Sequence, residues 1–466
     1  MLLRLEVDGF KNLLGFKTEF GPLTCIAGQN GVGKSNVFDA IELLSLIADR
    51  PLQEAAQLVR SDRSDRGGEP NHLFANGAME RSMSFAAEVI VPGLVTDDFG
   101  VEAKPTITLL RYELEIGFRP PERGAHQGHL VVDREELRHI NVGDAHRHIH
   151  FPHSVRDFRS AVVFGRRSGG PFISTEVEKG RITVHQDGGS RGRPRRALPT
   201  GASTTVVSTV NTADDPTILA LRREFQSWRR LALEPSALRT PDRFTDPRTM
   251  TSGGRHLAAA LFRIASSAQD PSSPEDVYAR IANRLSGLAG LDIRSLHVDV
   301  DDVRELLDVV VEEGHRGRLP ARSLSEGTLR FLALCTILED PEATGLITME
   351  EPENGIHPAN LNQMVELIED LAVDPGQAPA PDNPLRQIII NTHSPAVVQL
   401  VSREDLLVAV QRFVESDDST VLALRLDGLS GTSRTGGSAD GASELDLIAY
   451  LEKPPGARIA LNLDVA

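Results

Sequence analysis

The stretch LTCIAGQNGVGKSNVFDAIELL, residues 23–44, decides how this chain is read. Leu23–Ala27 is an apolar run of strand length, Gly28–Ser35 fits the pattern G-x-x-x-x-G-K-[ST] in full, and Val37, Ile41, Leu44 and Ile47 recur at helical spacing. Strand, glycine loop and helix in that order let backbone N–H groups wrap phosphate oxygens, while the helix N-terminus adds partial positive charge. Lys34 is then placed to reach the terminal phosphates of a bound nucleotide, and the hydroxyl of Ser35 to ligate Mg²⁺. The chain uses arginine almost wherever it wants a cation and keeps very few lysines, of which Lys34 is one.

A second stretch, GLITMEEPENGIHP at 345–358, sets Glu350 and Glu351 side by side after the apolar residues Leu346, Ile347 and Met349. Adjacent carboxylates at the end of a buried strand repel each other and resist desolvation, so a cation is expected there. A nucleotide with its Mg²⁺ at Gly28–Ser35 supplies it: Glu350 would hold the metal, and Glu351 would polarise a water attacking the γ-phosphate. SLSEGTLRFLAL, 323–334, puts Ser325, Gly327 and Thr328 at the start of an apolar helix, a second N-terminus able to take a phosphate. IIINTHSP, 388–395, ends another apolar strand with His393, within reach of the γ-phosphate or its water.

The totals bound the class. At 466 residues and 40% hydrophobic the chain can build two or three lobes with real cores. A formal charge of −16 excludes a protein that coats nucleic acid with its whole surface, so any DNA contact must be regional. Cys25 and Cys335 lie in apolar contexts and read as buried thiols of a reducing compartment. No stretch approaches a membrane span, and Arg4, Glu6 and Asp8 interrupt the start where a signal peptide needs an apolar core, so the reading is a cytoplasmic protein with no membrane partner.

The order of these pieces resembles the ATP-binding head of the ABC superfamily, in its non-transporter branch: SMC, Rad50 and RecF proteins, OLD-family ATPases and stand-alone ATPases of the AAA_21 type. LRLEVDGFKNLLGFKTEFGPLTCIAGQNGVGKSNVFDAIELL is similar to their opening, including Asn30 and the continuation Ser35, Asn36, Asp39, Ala40, Ile41; LSEGTLR resembles their signature motif, MEEPENGIHP their Walker B and D-loop, and NTHSP their switch histidine. The resemblance implies a nucleotide site of Gly28, Asn30, Gly31, Gly33, Lys34, Ser35 and Asn36 for ATP, with Mg²⁺ on Ser35 and Glu350. It implies catalysis by Glu351, His393 and Lys34, and a head-to-tail dimer in which Ser325 and Gly327 act on the partner's ATP. Glu350 stands where the wider superfamily usually has Asp. No residue is assigned to the Q-loop glutamine, for which Gln226 and Gln127 are candidates by position alone.

The expected fold is α/β: an ABC-type P-loop ATPase head with a mixed central sheet, an antiparallel β subdomain and a helical insertion. Residues 1–119 and 293–426 would form the two parts of the head, 120–292 an insertion that is β/loop and then helical, and 427–466 a linker with a C-terminal helix, ELDLIAYLEK. Within the insertion, 120–212 is broken by Gly, Pro, Arg and His and reads as mobile. Helices are expected over TILALRREFQSWRRLAL (217–233), GGRHLAAALFRIASSA and PEDVYARIANRLSGLAG. His146, His148 and His150 alternate, which sets them on one face of a strand; no cysteine or carboxylate completes a metal set, so an exposed strand face is favoured. Arg191, Arg193, Arg195 and Arg196 form a basic run read first as a solvated loop and second as a DNA contact. No room follows His393 for a nuclease domain, so a separate effector or nuclease subunit is the expected partner, with DNA as a further one. The rival readings are an ATP-binding subunit of a transporter and a nucleotide-gated scaffold with little turnover.

Overall fold

The computed structural model describes residues 1–59, 70–121, 128–187, 194–267, 274–289, 292–416 and 419–435. Its centre is a sheet of six strands: β1 (Leu23–Ala27), β2 (Arg229–Leu231), β3 (Gly345–Glu350), β4 (Arg386–Thr392), β5 (Leu406–Ser416) and β6 (Ser419–Gly428), in the spatial order β2-β3-β4-β1-β5-β6. The first five run parallel and β6 returns antiparallel to β5, which makes the sheet mixed. Strands covered on both faces must be apolar almost throughout. Ile26, Leu346 and Ile389 accordingly enter one core, while Cys25, Ile347, Met349, Ile388 and Ile390 enter another on the opposite face.

Parallel pairing has a functional consequence, because it brings the carboxyl ends of β1, β3 and β4 to one edge. Glu350 pairs with Asn391, and Asn391 and Thr392 pair with Ile26 and Ala27. The glycine loop follows β1, Glu351 follows β3 and His393 follows β4, so all three emerge side by side, where open α/β sheets bind ligands. Helix α1 (Lys34–Ile47) starts directly from the loop and buries Val37, Phe38, Ile41, Leu44 and Ile47.

On one side of α1 lies an antiparallel sheet of eight strands, in the order 194–199, 181–185, 173–176, 129–139, 109–119, 83–90, 2–8 and 16–19. Met83, Phe85, Ala87 and Val89 alternate inward with Tyr112, Leu114 and Ile116 to meet α1 and helix α2 (Pro216–Ser227). Its other face carries charges in rows: Arg111 pairs with Glu6, Glu88 and Glu113, and Arg134 with Glu113, Glu115 and Glu136.

Three expectations are corrected here. Much of 120–212 is not a mobile insertion: 129–139, 173–176, 181–185 and 194–199 extend the sheet, their short apolar pieces (Leu130–Val132, Ile182–Val184) held by ladder bonds to neighbouring antiparallel strands. The three histidines do not share a strand face, because Val142–Arg147 is a 3₁₀ helix that lets Ala145, Ile149 and Phe151 reach a small core with Phe158. His146 Nδ1 then meets the Gly143 carbonyl, His148 Nδ1 lies 2.7 Å from Glu88 and His150 Nδ1 2.6 Å from Glu19. Finally, the helix expected over 217–233 stops at Ser227, and Arg229–Leu231 become β2, paired with Ile347–Met349.

A second lobe packs on the other face of the central sheet. Helices α3 (Leu257–Ser266), α4 (Pro274–Ala289), α5 (Glu326–Leu338) and α6 (Leu361–Leu371) share its core with a four-stranded sheet built from 242–243, 293–301, 306–313 and 317–320. Pro274 opens α4, as a proline suits a first turn. Gln127, Arg191, Arg193 and the helix ELDLIAYLEK lie outside the described residues, and Arg195 and Arg196 fall in the strand 194–199.

Candidate nucleotide site

The glycine loop is shaped by positions whose backbone conformation a side chain would strain. Gly31 and Gly33 take φ of 84° and 101°, and a Cβ on Gly33 would fall 2.1 Å from Asn12 Nδ2. Asn12 is what holds the loop: its Nδ2 donates to the Val32 carbonyl at 3.0 Å, and its Oδ1 accepts from Asn36 Nδ2 at 2.7 Å. The crest, Gln29 to Gly31 with Asn30 between them, is exposed. Lys34 is only 6% exposed, and its Nζ donates back to the carbonyls of Gly28 at 2.7 Å and Gln29 at 2.9 Å. Burial pushes its pKa below the usual lysine value, opposed by the charges of Glu351, Glu350 and Glu353. A cation bonded to two backbone carbonyls at the mouth of a loop of N–H groups can turn to an anion placed there.

Beside the loop, Ser35 Oγ donates to Glu350 Oε2 at 2.9 Å, joining residues 315 positions apart. The other oxygen of Glu350 accepts from Arg230 Nη2 at 2.5 Å. Arg230 also pairs through Nη1 with Asp39 at 3.4 Å and Glu42 at 3.2 Å, both on α1, and Lys11 Nζ lies 2.6 Å from the second oxygen of Asp39. Arg230 is absent from the sequence-derived site. The adjacent arginines of WRRLAL fall on what reads as a continuing helix, and only the pairing of β2 with β3 places one of them against Glu350.

Glu351 takes φ of 45°, a left-handed conformation uncommon for a residue with a Cβ and typical of functional loops. Its backbone N–H donates to both the carbonyl and Oδ1 of Asn391, at 3.0 and 3.1 Å. Its carboxylate is pinned on both oxygens, with His393 Nδ1 2.7 Å from Oε1 and Asn354 Nδ2 donating to Oε2 at 2.8 Å. Behind it Thr392 Oγ1 donates to Glu353 at 2.5 Å and accepts from the Ser394 N–H at 2.9 Å, fixing the turn that presents His393. The buried Glu353 has its pKa raised by desolvation.

Ser325 caps α5, its Oγ accepting from the Thr328 N–H at 3.2 Å. Ser325 and Glu326 are exposed, and Gly327 faces the Gly355 carbonyl, 3.3 Å from where a Cβ would stand. Arg330, one turn along α5, bonds the Asn354 carbonyl. The structure thus brings Lys34, Ser35, Glu350, Glu351 and His393 to one edge and leaves the Ser325 end of α5 facing outward. Gln226 is not there: it bonds Asp49 at 3.0 Å, beyond the far end of α1.

A hydroxyl and a carboxylate within hydrogen-bond reach, beside N–H groups at a helix start, are the hard oxygen donors that suit Mg²⁺ and a triphosphate together. Those features, on a mixed sheet with an antiparallel lobe and a helical lobe, define an ATPase head of the ABC type, in the class of SMC and RecF heads. The family described as "AAA domain, putative AbiEii toxin, Type IV TA system" matches residues 23–90 and 210–399, which include the glycine loop, helix α5, both glutamates and His393. The chain belongs to that family, AAA_21. The DNA replication and repair protein RecF of Parabacteroides distasonis is 36% identical over 64 residues, which cover 14% of this chain and 18% of that protein, so the chain matches under a fifth of its relative's length. Among solved structures, an SMC head bound to the C-winged helix domain of ScpA overlaps with 13% identity and a TM-score of 0.41, covering 91% of this chain and 98% of that one. The SMC head domain from Thermotoga maritima overlaps with 12% identity and a TM-score of 0.35, over 91% and 97%.

Proposed function

We propose that this chain hydrolyses ATP between two copies of itself and that closure of the pair drives a DNA-related task, such as repair or defence against foreign DNA, through a separate effector or nuclease subunit. The observation that carries the reading is the bond from Ser35 Oγ to Glu350 Oε2, which unites the loop and the acidic strand end in one pocket. Gly28, Asn30, Gly31, Gly33 and Asn36 cradle the phosphates, and Lys34 leaves the Gly28 and Gln29 carbonyls to meet the β and γ oxygens. Ser35 and Glu350 would hold Mg²⁺, which would supply charge neutralisation at the phosphates. Glu351 accepts a proton from the attacking water, and His393, bonded to that carboxylate, orients it toward the γ-phosphate.

The exposed Ser325 end of α5, with the half-buried Gly327 just behind it, supports the head-to-tail arrangement, in which that helix start meets the partner's nucleotide. The segment shared with a DNA replication and repair protein favours DNA over other triggers. The long segment between Ser35 and Ser325 favours a cytoplasmic enzyme over a transporter subunit. Phosphate release from wild type, Lys34→Ala and Glu351→Gln, with mass by light scattering, tests the reading. Turnover should fall by about 100-fold or more in both variants and an ATP-bound dimer should accumulate only in Glu351→Gln; equal rates in all three would overturn the roles. Stimulation of wild-type turnover by duplex DNA supports the DNA-related task, and indifference to it points to a protein trigger.

A further inference from the structure

We infer that Arg230 is the positioning residue of the metal pocket: its guanidinium fixes the carboxylate of Glu350 so that one oxygen is presented to Ser35 and hence to the divalent ion. The inference rests on the reading of Ser35 and Glu350 as the ion's protein ligands. Glu350 is gripped on opposite oxygens, Oε2 by Ser35 Oγ at 2.9 Å and Oε1 by Arg230 Nη2 at 2.5 Å. Arg230 therefore leaves the ligating oxygen free to exchange its hydrogen bond for a metal, while restraining the rotation that would carry it away. A carboxylate that ligates a metal is commonly held in this way by a hydrogen-bonding group behind it.

The guanidinium is itself anchored. Its Nη1 reaches Asp39, fully buried, at 3.4 Å and Glu42 at 3.2 Å, so one cation links the acidic strand end to the first turns of the helix that carries Ser35. Three carboxylates from two elements converge on a planar fork that a lysine cannot reproduce. Arg230 comes from β2, whose chain continues directly into the helical lobe, so the ion's ligand, α1 and that lobe meet at this side chain.

The test uses full-length protein, Mn²⁺ as the paramagnetic probe and a fluorescent ATP analogue with and without metal. Arg230→Met should weaken Mn²⁺ binding in the nucleotide complex by about 10-fold or more while leaving metal-free nucleotide binding within about twofold, and Arg230→Lys should recover part of the loss. Unchanged or tighter Mn²⁺ binding in Arg230→Met would show that the guanidinium competes with the ion and would overturn the inference. Equal loss of metal-free nucleotide binding in both variants would make Arg230 a structural strut and overturn it too. A wild type that binds nucleotide with no dependence on metal would instead refute the Ser35 and Glu350 reading, and this inference with it.

Discussion

His393 Nδ1 lies 2.7 Å from Oε1 of Glu351, although 42 residues separate the two in the chain. With Asn354 on the other oxygen, the carboxylate proposed to take the water's proton is held before any substrate arrives. Glu351→Gln keeps the shape and the Asn391 contacts of the backbone but cannot accept a proton, so the chemical step should slow by about 10²- to 10⁴-fold with ATP affinity retained. His393→Ala should cost less, about 10- to 100-fold, because it loosens the base without removing it. Single-turnover phosphate release alongside nucleotide binding checks both. A variant at Glu351 that turns over at the wild-type rate would remove this residue from the mechanism.

Asn12 ties the glycine loop from outside it, through the Val32 carbonyl and Asn36. Asn12→Ala leaves those groups unpaired in a partly buried place, a loss of about 1–3 kcal/mol, and ATP should bind roughly 10-fold more weakly or worse. Gly33→Ala should be more severe, since its Cβ would collide with Asn12 at a φ of 101°. Calorimetric titration with ATP separates these from a folding defect if thermal stability is followed on the same samples.

The parts of the site legible in the sequence are those where chemistry prescribes residue type and spacing at once. Gly28–Ser35 must follow a strand and open a helix to hold phosphate, so β1 and α1 could be read around it, and the apolar runs before Glu350 and His393 are too long and too β-branched for a loop. Arg230 was out of reach because β2 has only three residues, too few to show a period, and follows a helix whose apolar spacing continues through Leu231 and Leu233. The strands at 173–176 and 181–185 were hidden for the same reason: they exist through pairing with a neighbour rather than through any pattern of their own. The alternating histidines misled because Ile149 and Phe151 alternate as well, and burying those two apolar side chains beside Phe158 decides the backbone there.

Arg386 opens β4 with no exposed surface, and its guanidinium donates to the carbonyls of Ala343 at 2.5 Å, Asp340 at 2.9 Å and Leu371 at 3.4 Å. It closes the ends of α5 and α6 onto the central sheet. Burial pulls its pKa down to about 10, so it stays charged at neutral pH. Arg386→Met fills the volume but strands three carbonyls, and should cost about 3 kcal/mol; Arg386→Lys should recover only part, since one ammonium cannot span all three. Urea midpoints at an unchanged m-value measure it. A shift of under about 0.5 kcal/mol for Arg386→Met would mean that the carbonyls find other partners.

Glu135 is fully buried in the antiparallel sheet, accepting from Tyr112 Oη at 3.1 Å and from the Val206 and Val207 N–H groups at 2.6 and 3.2 Å. Burial raises its pKa from 4.5 to about 7, outweighing those three donors, which favour the charged form. Between these values the folded chain holds a proton that the unfolded chain has released, so this group's contribution to stability is fully present below pH 4.5 and is lost as pH rises to about 7, flat beyond. The total is on the order of 3 kcal/mol. Glu135→Gln removes the titration at a cost that does not vary with pH, because its amide meets the same N–H donors badly in both regimes. The stability of wild type relative to Glu135→Gln should therefore fall as pH is raised through that window, as read from urea midpoints at intervals between pH 4.5 and 8. A gap that instead widens with pH would mean that the hydrogen bonds from Val206, Val207 and Tyr112 overcome desolvation and keep the native carboxylate ionised.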